Sequence, residues 1–284
     1  MRLIRAELLK ARRRSATWIL LIILLVLMAV VFLLGGVAFQ GIGIIEFPTA
    51  YVIISQLAFG LGGLLAIIYA AALVGADWNW GVVRNVIARG ESRANYLLAK
   101  AAAIAIILGI ALVVVFLAGI GLAYVSGALW NVPVASPLRG RGIQDLADWL
   151  FLIYPVLLQR AAIGFVVALI LRSQLAGAVV GVLLYLGEPI FRFIFGAVSF
   201  IGRGPGSILE EGPRQIGPEW YQFLPISIGD YVVNSAPGNV SLQGGLEGLL
   251  IRPVPLEIAL PGVLVYLALF IGLAIVVFRR QEIA

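Results

Sequence analysis

Residues 77–100 read DWNWGVVRNVIARGESRANYLLAK. This stretch is a polar, basic island between two long apolar segments, and its reading decides the fold. Asp77 or Asn79 can cap a helix N-terminus. Val82, Val83, Val86 and Ile87 then share one helical face, while Arg84, Asn85 and Arg89 point elsewhere. Gly90 suits the left-handed backbone that closes a helix. Ser92 can cap the helix that follows. Trp78 and Trp80 mark the membrane-interface end of the preceding span. The spacing predicts a helix of about two turns lying across a membrane face. A plain basic loop would need neither the apolar face nor two helix boundaries.

The rest of the chain supports an all-α polytopic membrane protein. Of its 284 residues 62% are hydrophobic, and only 12% are charged, against about 25% in soluble domains. The mean hydropathy is +1.08. Apolar runs of 20 or more residues recur, each long enough to cross a hydrocarbon core of about 30 Å. The alternation of a membrane barrel is absent. Cysteine and histidine are absent too. The missing histidines remove the commonest transition-metal ligand and the usual proton carrier near neutral pH, so a metal site or intramembrane hydrolase lacks its chemistry. The spacing Glu188-x-x-x-Arg192 occurs in intramembrane CAAX-type proteases, but those sites depend on histidine.

Six spans are expected, at about 17–39, 50–76, 96–126, 149–171, 174–200 and 257–278, in a single transmembrane domain over 1–284. The first follows Arg2, Arg5, Lys10, Arg12, Arg13 and Arg14. It is too long for the apolar core of a signal peptide and reads as a retained span. Lys and Arg distribute thirteen to five in favour of both termini inside, which predicts cytoplasmic termini in the cell membrane. The net charge of +6 is thus topological and implies no nucleic acid. Ahead of the first span, RLIRAELLKARRRS gathers Leu3, Ile4, Leu8, Leu9 and Ala11 toward one face, the composition of an interfacial helix attracted to membrane lipid. The turn Arg172-Ser173 makes spans four and five antiparallel neighbours. Segment 127–148 looks irregular until IQDLADWL, an amphipathic start to span four. Segment 202–256 is broken by Gly and Pro, and WYQFLPISIGDYVV within it predicts a short helix in the outer interface.

Charges at membrane depth form a second constellation: Arg160 in span four, Glu188 and Arg192 in span five. Such charges face protein or water. They make either a polar patch on a substrate path or an ion pair of Glu188 with Arg192 or Arg160. Gly177 and Gly181 form a G-x-x-x-G suited to close helix contact, and a weak candidate for a dimer interface.

The island resembles the loop between spans two and three of ABC-2 type transporter permeases, the membrane subunits of ABC exporters. The matching positions are Asp77, where Glu is more usual, with Gly81, Val82, Arg84, Asn85, Arg89, Gly90, Ser92, Arg93, Tyr96, Leu97 and Lys100. The opening ELLKARRRSATWIL, the turn LILRSQLAG and the ending FRRQEI are similar to the family as well. The resemblance implies a dimer of two permease chains, alike or different, with twelve spans. It implies a coupling helix gripped by a separate ATP-binding cassette subunit, and export as the usual direction. In that setting the coupling residues are Asp77, Gly81, Val83, Arg84, Ile87, Arg89, Gly90 and Arg93. Lysine occurs only at 10 and 100, neither after a Gly-rich phosphate loop. ATP is therefore expected on the partner, with no cofactor and no catalytic residue in this chain. The alternative is a permease-like scaffold that joins a larger membrane complex and transports nothing.

Overall fold

The computed structural model describes residues 2–38, 45–88, 90, 92–134, 136–137, 141–201, 220–236 and 254–281; at 2, 36–38, 84, 85, 87 and 199–201 only the backbone is described. The described elements are helical, with no strand among them. An N-terminal helix α1 (Arg2–Arg13) leads into α2 (Ser15–Ala38), α3 (Thr49–Asn79) and the short α4 (Val82–Ala88). Then come α5 (Arg93–Trp130), α6 (Gly142–Leu171), α7 (Gln174–Ile201), a 3-10 turn at Trp220–Phe223, α8 (Pro225–Asn234) and α9 (Leu256–Arg280). Six helices, α2, α3, α5, α6, α7 and α9, are long and apolar enough to cross a membrane. They overlap all six expected spans.

Helices form here because lipid offers the backbone no hydrogen bonds, so each span must satisfy its own. α3 and α6 make the centre of the bundle and carry its most buried surfaces, while α2, α7 and α9 show most of theirs to the outside. Small residues let the central pair touch. A Cβ added at Gly164 of α6 would lie 3.0 Å from the Ile67 Cα of α3, so the two backbones are in contact there. Ala66, Ala70 and Ala71 of α3 and Ala161 and Ala168 of α6 are buried. Between apolar helices in lipid, such van der Waals fit replaces the hydrophobic effect.

Side chains reaching helix carbonyls add the polar glue. Tyr154 donates to the Ala105 carbonyl (3.0 Å), joining α6 to α5. Ser126 donates to the Phe32 carbonyl (2.8 Å), joining α5 to α2. Gln281 donates to the Leu169 carbonyl (2.9 Å), bringing the end of α9 to the end of α6.

Several local expectations meet the structure directly. Arg172, in the left-handed region (φ 50°), closes α6 one residue before Ser173 and Gln174 start the next helix. The irregular stretch after span three starts later than expected, because α5 runs on to Trp130 and ends on a left-handed Asn131. IQDLADWL lies inside the first turns of α6. α1 turns Glu7 and Ala11 inward, and Leu9 is exposed. The short helix expected from WYQFLPISIGDYVV exists as the 3-10 turn and α8, and it is packed into the bundle. Ile226, Ile228, Val232 and Val233 of α8 are buried in the bundle. Much of segment 202–256 lies outside the described residues.

Gly60 offers a control for the central contact, since a Cβ there would meet nothing within 4 Å. Gly164→Ala is expected to cost about 1–3 kcal/mol by forcing α3 and α6 apart. Gly60→Ala should leave the midpoint of detergent-induced unfolding unchanged or slightly raised. Helicity followed against denaturing detergent checks both.

Candidate functional site

The end of α3 carries Asp77, whose side chain is only 1% exposed. Neither Asp77 nor Asn79 caps α4, contrary to expectation, because α3 itself continues through both and ends on Trp80. Asp77 instead turns inward to three cations. Lys10 of α1 pairs directly with its Oδ1. The Nζ of Lys100, from α5, lies 2.5 Å from Oδ2. Nη2 of Arg14 lies 3.6 Å from Oδ1. The Tyr96 hydroxyl donates to Oδ2 as well. Glu7 completes the cluster, its Oε2 accepting from Lys100 at 2.8 Å. The cations also reach backbone carbonyls within α3: Arg14 donates to the Ala72 carbonyl (3.1 Å) and Lys100 to that of Leu73 (3.4 Å). Burial holds the Lys10 ammonium below its ordinary pKa. The Lys100 charge adds to that fall, and the Asp77 and Glu7 carboxylates oppose it.

The cluster ties α1, α3 and α5 together at the point where the chain leaves for α4. Two left-handed glycines bracket that helix, Gly81 (φ 64°) before it and Gly90 (φ 85°) after it. Gly90 does what its sequence position suggests; the turn at Gly81 is a second break of the same kind. Val83 is buried, and Val86 packs against the core. The Ser92 side chain accepts from the Asn95 amide at 3.2 Å and caps α5, as expected. α4 is thus a two-turn element on a buried valine face. The side chains of Arg84 and Ile87, and all of Arg89, lie outside the described residues. Arg93 is half-buried against the end of α9. Its Nη1 donates to the carbonyls of Phe278 (3.1 Å), Arg279 (3.1 Å) and Gln281 (2.7 Å), so it closes the last turn of α9.

The second constellation also pairs differently from its sequence reading. Arg160 is fully buried and lies eleven residues from the end of α6, or about 16 Å at 1.5 Å per residue, near mid-membrane depth. Its acid is Asp230 of α8, at 2.8 Å from Nη2. Arg192 meets the other oxygen of Asp230 at 3.3 Å. Glu188 accepts the Ser227 amide at 2.6 Å instead. α8 has Pro225 in its first turn and no side-chain cap of its own, so a carboxylate from α7 satisfies its open N-terminus. The Arg160 guanidinium stacks 3.9 Å from the Phe59 ring centre and donates to the Phe59 carbonyl at 2.5 Å. Gly63 leaves room for it, since a Cβ there would sit 2.7 Å from Arg160 Cδ.

Gly177 and Gly181 pack within the chain: Cβ atoms there would press on Ala168 of α6 and Ile67 of α3. The close contact that the G-x-x-x-G announces is made between helices of one chain, where an interface between chains was expected.

A protein of six such helices, with a short helix anchored to a buried charge cluster at one face, has the build of a transporter membrane subunit. The model of the ABC-2 family transporter proteins matches residues 3–188. The chain therefore belongs to that family, as a permease subunit of an ABC transporter, a class that works with an ATP-binding cassette partner. No curated protein matches it. The matched region contains the whole Asp77 cluster and α4; Arg192 and Asp230 lie beyond it.

Sequence reasoning missed Lys10, Lys100, Glu7 and Tyr96 as partners of Asp77. The signal available was that the chain's two lysines both stand at span ends. It also missed Asp230, whose mark is being the lone acid in an apolar stretch. Replacing Asp230 by Leu strands a buried guanidinium and should cost about 3–5 kcal/mol. Adding Arg160→Leu to the same chain should recover part of that loss. Unfolding midpoints of the single and double variants in detergent measure it.

Proposed function

We propose that this chain is the membrane-spanning subunit of an ATP-driven ABC-2 exporter, working as a dimer of permease chains with two ATP-binding subunits. The observation that carries this reading is the mounting of α4. It is short and bounded by flexible glycines, yet it is continuous with a buried ionic cluster that joins α1, α3 and α5. Force applied to α4 by a closing pair of ATP-binding subunits would pass through Asp77 into three helices at once. Packed cores shift between discrete arrangements rather than bending continuously, so such a lever moves helices as bodies.

Within this reading the residues divide their work. Arg84 and Arg89 are the contacts offered to the partner. Val83, with Val86, forms the apolar seat that keeps α4 on the bundle, and Ile87 belongs to the same face by its helical spacing. Gly81 and Gly90 set its ends. Asp77 and Arg93 are positioning residues, one holding α3 to α1 and α5, the other holding the start of α5 to the end of α9. ATP is bound and hydrolysed on the partner. The face carrying α1, α4 and the end of α9 is cytoplasmic, because the basic residues concentrate there. Arg160, Arg192, Asp230 and Glu188 fix α8 deep between α6, α7 and α9.

Two outcomes follow. Val83→Asp together with Ile87→Asp should abolish copurification of the ATP-binding subunit and transport, while the chain still inserts. Retention of both would remove the coupling role. Recovery of a large complex containing no ATPase would identify a scaffold instead. The absence of cysteine permits a clean topology test as well. A single Ala88→Cys should react with a membrane-impermeant maleimide only when the cytoplasmic face is exposed, in inside-out vesicles.

A further inference from the structure

A cleft of about 790 Å³ opens between α2 and α5, within the usual range of about 300–1,000 Å³ for ligand pockets. Its floor is the stretch of α3 from Ala58 to Tyr69, and α1 closes one end with Leu8 and Arg12. From Ala58 to Tyr69 the helix rises about 16 Å, close to half of a 30 Å hydrocarbon core. The cleft is as deep as one leaflet.

Its polarity is sorted along that depth. The deep part is lined by aliphatic side chains and hollowed by small residues such as Gly62, Ala66 and Ala111. All the polar lining lies at the α1 end: Arg12, Thr17, Trp18 and Tyr69. Trp18 is fixed there by donating to the Arg12 carbonyl at 2.9 Å. The Tyr69 hydroxyl is buried beside Thr17 and makes no well-aligned hydrogen bond. Arg12 is exposed, and so is its neighbour Arg13. Among the described residues no acid lines the cleft, and Glu7, the nearest acid in sequence, is held by Lys100. An aliphatic slot one leaflet deep, with an exposed cation at its mouth, matches an acyl chain below an anionic headgroup.

We infer that the cleft between α2, α3 and α5 holds one anionic phospholipid from the leaflet on the basic face, with an acyl chain along α3 and its phosphate at Arg12. The lipid fills a space that would otherwise forfeit dispersion contacts, and it braces α1, whose Lys10 and Glu7 sit in the Asp77 cluster. The inference needs only that α2, α3 and α5 cross the membrane; it stands apart from ATP coupling.

The test uses the full chain, purified in mild detergent and stripped of lipid. Phosphatidylglycerol or phosphatidylcholine with the same acyl chains is added back and retention is read by native mass spectrometry. One phosphatidylglycerol per chain should be retained ahead of phosphatidylcholine. Arg12→Gln should weaken phosphatidylglycerol retention about fivefold, the worth of one basic residue at an anionic surface, and leave phosphatidylcholine unchanged. Ala111→Phe, which fills the slot, should lower both. Should that variant fail to fold, the exposed Arg12→Gln decides alone. Equal retention of the two lipids by the unaltered chain, or no effect of Arg12→Gln, overturns the proposal. So does an Ala111→Phe chain that keeps its lipid but loses dimer, because the slot then belongs to a second copy.

Discussion

The Asp77 carboxylate governs this structure. It is buried at the end of a long apolar helix, where an unpaired charge would cost several kcal/mol. It is tolerable only because Lys10, Lys100, Arg14 and Tyr96 converge on it. That demand pulls α1 onto the bundle, fixes how α5 starts relative to α3, and sets where the chain departs into α4. The cations in turn cannot be left without it, since they would repel one another in a poorly solvated site. Each member is costly alone, so the cluster is held as a unit. The helix that follows inherits its position from that unit.

The same physics operates again at mid-membrane depth. Arg160 is as buried as Asp77, and it recruits an acid seventy residues along the chain, from the short helix α8. One carboxylate serves two guanidiniums there, while Glu188 serves the open end of α8. The Asp77 cluster sits at the end of α3, whereas the Arg160 cluster lies against the middle of the α3–α6 pair that forms the centre. Gly63 and Gly164 on that pair do different jobs. One gives space to a guanidinium and the other brings two backbones into contact. The membrane makes both necessary, because it neither solvates a charge nor drives apolar helices together.

What was legible in the sequence follows from local rules. The six spans are visible because a helix rises 1.5 Å per residue and a bilayer core is about 30 Å thick. Gly90 and Ser92 are readable as a stop and a cap because their roles depend on backbone a few residues away. The valine face of α4 follows from helical period, and Val83 is buried as that period requires. The ABC-2 resemblance of the island and the family match over residues 3–188 agree. The failures share one cause. Glu188 was offered Arg192 or Arg160 as a partner, Asp77 or Asn79 was given a cap's role because both precede α4, and nothing in the basic island showed that Arg93 meets the end of α9. Nearness along the chain was taken for nearness in space.

By itself, then, the sequence determined an all-helical membrane protein of six spans and the place where a short, glycine-bounded helix interrupts them. Those properties depend on hydropathy summed over a span and on dihedral preferences within a turn. Only the tertiary structure decided which charges meet: Asp77 with Lys10, sixty-seven residues away, and Arg160 with Asp230, seventy away. It also decided that Gly177 and Gly181 are spent inside the chain. A buried charge is stabilised by whatever the packing of whole helices brings within about 4 Å, and no local pattern encodes that encounter.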